Sequence, residues 1–397
     1  ETIKEVLSES LEDFSFGFDV SAFTALAYGL IYLGSGDEEI IGSLFYVLCE
    51  RNEGGKKNLM DSPFTLLYVL GIGLVLLGKQ KEADLIIETF QIEEFSQDLR
   101  QYIKTILTLC AYAGSGNVVK IQELQQLVAK KKDTHTKVKQ VAIIGMSFMS
   151  IGENIGSEML PRSFNHFLQF GDASIKKAVT LALALLSPSD PKITTSDTLL
   201  EYIFDADKDI AINAIFGIGI LSAGTNNSRL GTNLRKMAGA YAEEPNVLSI
   251  IRITQGLLNL GKGALTLNPS LSNGLLLSET SLAGLLISIL SFTEGDKLIC
   301  GKYQYLIYSL CLSMRPRMVM SLNEKNEMKP ISVVVGQAVD TIGMNGNPKS
   351  ISGFQVNTTP ILMNIGERCE LNGDDYRSET TIIEDVIIVK ENTDKRN

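Results

Sequence analysis

The chain holds 397 residues, 45% of them hydrophobic, with 36 lysines and arginines against 46 acids and a formal charge of −10. That apolar fraction excludes a disordered chain and supplies a large core, and the negative sign disfavours nucleic acid, whose phosphates require a basic surface. The longest apolar run, residues 64–77, is shorter than the ~20 residues of a membrane span and holds two glycines that suit helix packing. The five cysteines (Cys49, Cys110, Cys300, Cys311, Cys369) are odd in number and scattered. They read as reduced core residues of an intracellular protein.

The chain opens on Glu1 in a polar, helical segment with no apolar helix before it, where a helical array would need a dedicated polar cap. The expectation is a piece of a longer protein. Residues 1–55 hold eleven acids (Glu1, Glu5, Glu9, Glu12, Asp13, Asp19, Asp37, Glu38, Glu39, Glu50, Glu53) against Lys4 and Arg51, a net of −9. Such a surface steers a basic protein partner; its bland alternative is a solvated helix face.

From residue 21 a small-residue phrase recurs, as in SAFTALAYGLIYLGSGD, SPFTLLYVLGIGLVLLGKQ, YIKTILTLCAYAGSGN and DIAINAIFGIGILSAGTNN. Its closing marks are Gly34, Gly78, Gly114, Gly152, Ser187, Gly224 and Gly261, separated by 44, 36, 38, 35, 37 and 37 residues. Each interval holds a second, more polar helix such as KEADLIIETF, so the unit is a helical hairpin with a buried inner and a solvated outer helix. Glycines inside the phrases (Gly29, Gly71, Gly73, Gly145, Gly217, Gly219, Gly256) cost roughly 1 kcal/mol each relative to Ala. Close approach of inner helices on a tight curve would offset that, and the terminal glycines fit C-terminal caps of their own helices.

Between the third and fourth phrases, KKKDTHTK (Lys130–Lys137) reads as a loop. After the seventh phrase, residues 278–292 and 302–314 read as closing apolar helices. From Met318 the grammar changes to β-branched runs with Asn345-Gly346 and Asn372-Gly373 between them, the strongest short hairpin signal. The expected architecture is therefore mainly α: a solenoid of helical hairpins closed into a toroid over residues 1–317, then a small β-rich domain and tail over 318–397.

Chemistry is sparse. His135 and His166, the two histidines, have no carboxylate or cysteine constellation around them, and no CxxC or HExxH occurs, so no catalytic residue, metal or cofactor is expected. Gly256 to Gly263 matches a phosphate-binding loop except that Gly263 replaces Ser or Thr. It lies within and after a repeat helix instead of following a strand.

The phrases resemble proteasome/cyclosome repeats. More specific strings, CAYAGSGNVVKIQEL, FGIGILSAGTNNSRL, QGLLNLGKGALTL, MRPRMVMSLNE and VVGQAVDTIG through GERCEL, are similar to the family of non-ATPase subunit one of the 26S proteasome regulatory particle, C-terminal part. The resemblance implies a non-catalytic toroidal scaffold in cytoplasm and nucleus. Its partners would be the ATPase ring and other regulatory-particle subunits, ubiquitin, the ubiquitin-like domains of shuttle receptors, and a deubiquitinase, with no nucleic acid and no membrane. It places the ubiquitin site on acids of an outer helix from Asp37 to Glu50, with Asp37 or Glu39 first and Glu50 last. The middle position falls at Tyr46, which is not acidic. Glu38 joins the acids there, Ile40, Ile41, Leu44 and Phe45 could supply apolar contact or else pack against the inner layer, and Glu82, Asp84 and Glu88 extend the site onto the next outer helix. KKKDTHTK stands where relatives carry a long acidic insertion. The rival readings are the sister large subunit of the same particle, against which VGQAVDTIG to GERCEL argues, and an armadillo- or HEAT-like adaptor, in which glycine seldom occupies nearly every inner helix.

Overall fold

The computed structural model describes residues 2–53, 59–90, 95–130, 134–152, 154–271, 277–340, 349–364 and 366–392. A first helix, α1 (Thr2–Glu12), precedes six hairpins: α2 (Phe18–Ile31) with α3 (Glu38–Glu53), α4 (Phe64–Val75) with α5 (Lys81–Thr89), α6 (Gln97–Ala111) with α7 (Val118–Ala129), α8 (Thr136–Ser150) with α9 (Asn154–Phe170), α10 (Ala173–Leu185) with α11 (Ile193–Glu201), and α12 (Lys208–Leu221) with α13 (Ser228–Ala240). A seventh inner helix, α14 (Pro245–Leu258), follows. The even-numbered helices pack in series. In α4 every residue from Thr65 to Val75 is buried, whereas α13 buries only Leu230, Leu234 and Met237, one stripe at helical spacing. No helix among the described residues is long and apolar enough to cross a membrane.

Glycine sets the inner spacing at particular crossings. A methyl on Gly29 would fall within 3.0 Å of the Gly71 backbone, and one on Gly71 would meet the backbone of Ala25 and Leu26. Gly217 abuts the Thr180 carbonyl, 3.1 Å from where a methyl would stand. Gly256 departs from the expectation. It lies exposed on α14, and a methyl there meets nothing within 4 Å, so close packing does not account for it.

The phrase-ending glycines act across repeats. Gly34 and Gly36 donate their N–H groups to the Leu74 and Val75 carbonyls of the next inner helix; Gly78 and Gln80 do so to Cys110 and Ala111; Gly114 and Gly116 to Phe148 and Met149; Gly224 and Asn226 to Leu257 and Leu258. A helix end leaves its last carbonyls without intrahelical partners, and here the preceding repeat supplies the donors. Both donors sit at positive φ, from 49° at Gln80 to 75° at Gly78, so the two N–H groups can face one neighbour. Where Ser187 replaces the glycine, Ser189 takes the left-handed conformation at φ 59° and donates to Ile220. Alanine at Gly114 (φ +69°) is expected to destabilise by about 2 kcal/mol in urea titration, since its methyl also strikes Leu277. Alanine at Gly78 (φ +75°), where a methyl meets nothing, should cost only the conformational part, about 1 kcal/mol.

The apolar segments after α14 do not extend the array. Helix α15 (Glu279–Thr293) is buried from Ser281 to Phe292 and packs on α4, α8 and α10, while Phe292 stacks on Phe216 of α12 with ring centroids 3.8 Å apart. One helix can touch four members of a row only if the row is concave around it, so α15 runs inside the curve. A 3₁₀ helix, Gln304–Ser313, lies beside it, with Tyr303 reaching Phe23, Phe64 and the Asp19 carboxylate. Cys311 on that helix is exposed, contrary to the core role expected of the cysteines.

The N-terminal ends of α8, α10 and α12 surround the C-terminal end of α15, a favourable meeting of positive and negative dipole ends. Lys137 fastens it. Its Nζ lies 2.7 Å from Glu294 Oε1 and donates to the Met60 carbonyl at 2.9 Å. The basic stretch is therefore not all loop: Lys137 sits in the first turn of α8, and His135 Nδ1 caps that helix by accepting the Lys137 N–H.

The β-rich part is joined to the helices by strands β1 (Leu265–Thr266) and β2 (Arg315–Pro316). It continues with β3 (Met318–Leu322), β4 (Ser332–Asp340), β5 (Lys349–Thr358), β6 (Ile361–Leu362), β7 (Glu367–Leu371), β8 (Tyr376–Ser378) and β9 (Asp385–Glu391). Two sheets, ordered β6-β3-β9-β8 and β5-β4-β7, enclose Val319, Val333, Val335, Cys369, Ile387 and Val389. Antiparallel β4 and β5 form the expected hairpin, although the Asn345-Gly346 turn lies outside the described residues, as does the tail beyond residue 392. Asn372-Gly373 corrects its expectation. Gly373 has φ +88°, but β7 and β8 on either side belong to different sheets, so the turn links sheets.

Candidate interaction surface

Helices α1 and α3 lie in contact on the outer layer, with Lys4 Nζ 3.8 Å from Glu39 Oε2. Ile40, Ile41, Leu44, Val47 and Leu48 hold α3 against the core. Its opposite side presents Glu39, Ser43, Tyr46 and Glu50, spaced four, three and four residues apart and all exposed, so they share one face. Arg51, the other base of this region, is turned inward, donating to the Phe16 carbonyl and the Ser21 hydroxyl and lying over the Phe14 ring. It neutralises none of the acids on that face. Asp13, near the end of α1, is kept below the ordinary carboxylate range by hydrogen bonds from the Ser15 hydroxyl and N–H, and stays ionised.

The expected site residues divide on this geometry. Glu38, Glu39 and Glu50 are solvent-exposed on α3, and Glu82 is exposed on α5. Asp37 is half-buried, and its Oδ1 accepts the Glu39 N–H, capping α3 as Asn117 caps α7 and Asn227 caps α13. Asp84 bridges repeats: Oδ2 accepts the Tyr112 hydroxyl at 2.6 Å and Oδ1 lies 3.3 Å from Lys120 Nζ. Ile40, Ile41 and Leu44 are at most 3% exposed and cannot meet a partner, because they face the inner layer. Phe45 is half-buried, edge-on to Phe90 at 4.2 Å and to Phe95 at 6.2 Å.

The exposed apolar group on this face is instead Tyr46, 62% exposed among the acids, while Ile3 and Val6 are exposed on the adjoining α1. Sequence reasoning missed Ile3 and Val6, and no helical pattern would have found Ile3, because it stands four residues before Leu7 on the same stripe. Leu85, exposed beside Glu82, adds a further apolar group on α5.

Among the described residues, no three histidine, cysteine or acidic side chains converge as a metal site. His135 caps α8 and His166 lies against Phe170 on α9. At the imitation phosphate loop, Gly261, Lys262 and Gly263 form a left-handed turn (φ 55°, 56° and 91°) whose carbonyls are taken by protein donors, Lys262 by Asn226 and Gly263 by Arg317. That turn fastens the β-rich part to the helices. A cavity of about 320 Å³ lies alongside, lined by Lys192, Arg315, Arg317, Glu384 and Asp385 among others, with Arg315 paired to Glu384 and Asp385.

Residues 342–394 match the family model described as 26S proteasome non-ATPase regulatory subunit RPN1 C-terminal. Over 99% of its length the chain is 37% identical to the 26S proteasome regulatory subunit rpn-1 of Neurospora crassa and 41% identical to the 26S proteasome non-ATPase regulatory subunit 2 homolog B of Arabidopsis thaliana. It is likewise 37% identical to the Schizosaccharomyces pombe subunit rpn1. In each case it spans 44% of the relative's own length.

Proposed function

Because the chain belongs to the RPN1 family of 26S proteasome regulatory subunits, we propose that it serves as a non-catalytic scaffold whose outer helices dock ubiquitin and the ubiquitin-like domains of shuttle receptors. One observation carries this reading: the face of α3 with Glu39, Tyr46 and Glu50 exposed, beside α1, on which Ile3 and Val6 are exposed. A partner with a basic rim around an apolar patch complements that arrangement, with charge setting the approach and the apolar groups the residence time. The ATPase ring, other regulatory-particle subunits and a deubiquitinase are the further partners of this reading, set in cytoplasm and nucleus. A closed toroid is part of it as well. Tyr305, Tyr308 and Leu312 leave one flank of the central 3₁₀ helix apolar and exposed, and further inner helices on that flank would cover it.

The test keeps Asp37, since it caps α3. Charge reversal at Glu38, Glu39 and Glu50 together should weaken binding of a ubiquitin-like domain by about tenfold or more, from roughly 0.5 kcal/mol per exposed charge contact. The thermal transition should be unchanged. Titration by isothermal calorimetry checks it, and an unaltered affinity in a folded variant would sink the site assignment.

A further inference from the structure

We infer a second docking surface, on the rim where the outer helices return to the inner ones, that takes a basic amphipathic helix of a partner protein. Phe170 ends α9 at 74% exposure, and Phe204, one repeat on, is 65% exposed. Tyr202 donates to the Leu168 carbonyl and Tyr241 to the Ile203 carbonyl, so these turns are adjacent, and Tyr241 stacks on Phe204 with centroids 6.1 Å apart. In the second hairpin Phe90 closes the outer helix in the same way but is buried under Phe45. Phe170 and Phe204 are turned out.

Charge selects the occupant. Segments 170–173, 201–208 and 241–244 carry Asp172, Glu201, Asp205, Asp207, Glu243 and Glu244 against Lys208 alone. Lys208 pairs with Glu244 and Asp207 lies 3.9 Å from Lys177. Among the described residues no lysine or arginine pairs with Asp172, Glu201, Asp205 or Glu243. An anionic lipid surface and nucleic acid are thereby disfavoured, and a cationic, apolar segment is favoured. Spacing suits a helix: Tyr202 joins the turn that carries Phe204 to Leu168, two residues before Phe170, so the two rings stand one repeat apart, and residues seven apart on a helix rise about 10.5 Å. Apolar side chains at i and i+7 would therefore meet Phe170 and Phe204 in turn.

The experiment titrates the 397-residue chain with a fluorescently labelled helical peptide built of leucine on one face and lysine on the other, and with a permuted peptide of the same composition and no apolar face. The amphipathic peptide is expected to bind about tenfold or more tightly than the permuted one. Phe170→Ser with Phe204→Ser should abolish that difference with no change in circular dichroism, and Glu201→Lys with Glu243→Lys should weaken binding and its salt dependence. Reversal of Glu38, Glu39 and Glu50 should leave it intact, which separates this surface from the ubiquitin reading. Equal binding of both peptides, survival of the difference in the phenylalanine variant, or its loss in the α3 variant would each overturn the assignment.

Discussion

Replacing Glu294 by alanine is expected to destabilise the helical part by about 3 kcal/mol, and replacing Lys137 by alanine measurably less. The two side chains are 11% and 18% exposed and 2.7 Å apart. Removing one member of such a pair leaves the other charge poorly solvated, at a cost of roughly 3–5 kcal/mol when burial is complete. The asymmetry follows from the remaining partners. Without Lys137, Glu294 keeps Lys297, at 3.5 Å; without Glu294, the Lys137 ammonium keeps only the Met60 carbonyl among its close contacts. Replacing both by methionine should recover most of the loss, since apolar groups of similar volume need no compensation. Urea midpoints of the wild type, the two alanine variants and the double methionine variant make the comparison. Equal single effects would show that Lys297 does not hold Glu294, and a double variant as unstable as the worse single would refute the ion-pair origin.

Gly71→Val should be at least as damaging, by about 3 kcal/mol or more. A side chain there enters the backbone of α2 at Ala25 and Leu26, which cannot yield as the tip of a flexible side chain can, so α2 and α4 must separate. Gly256→Ala is the matched control. Its methyl meets nothing, and alanine favours a helix interior by roughly 1 kcal/mol, so a small gain in stability is expected. Losses of equal size at both positions would mean that helix propensity, and not interhelical distance, governs these glycines.

These two sites mark how far the sequence could be read. The recurrence of the glycine-ended phrase is a one-dimensional property, and it gave the hairpin unit, the inner and outer layers and the small-residue crossings at Gly29, Gly71 and Gly217. It could not separate Gly71 from Gly256, because both stand mid-helix beside apolar residues and differ only in whether another backbone passes nearby. Nor could it show that Gly34 and Gly36 cap the neighbour's helix, since a left-handed residue reads the same whichever carbonyl its N–H reaches. For the candidate surface, the acidity of residues 1–55 was legible in composition. The fates of its members were not: Asp37 caps a helix, Asp84 binds Tyr112 and Lys120, and Ile41 faces the core. The Asp37 cap is local, made to the N–H two residues on, but the fates of Asp84 and Ile41 depend on partners tens of residues distant or on which side of a helix meets the layer beneath.

The sequence by itself determined the repeat, the apolar and polar layers, the passage from helices to strands and the sign of the surface, because these follow from local periodicity and composition. Tertiary structure alone decided that α15 runs inside the curve instead of extending it, that Lys137 and Glu294, 157 residues apart in sequence, fasten it there, and that Tyr46, Phe170 and Phe204 face solvent. An apolar helix carries the same pattern whether it lies in a row or within one. Only the concavity of the row, set by close backbone crossings summed over many repeats, leaves the space that α15 fills.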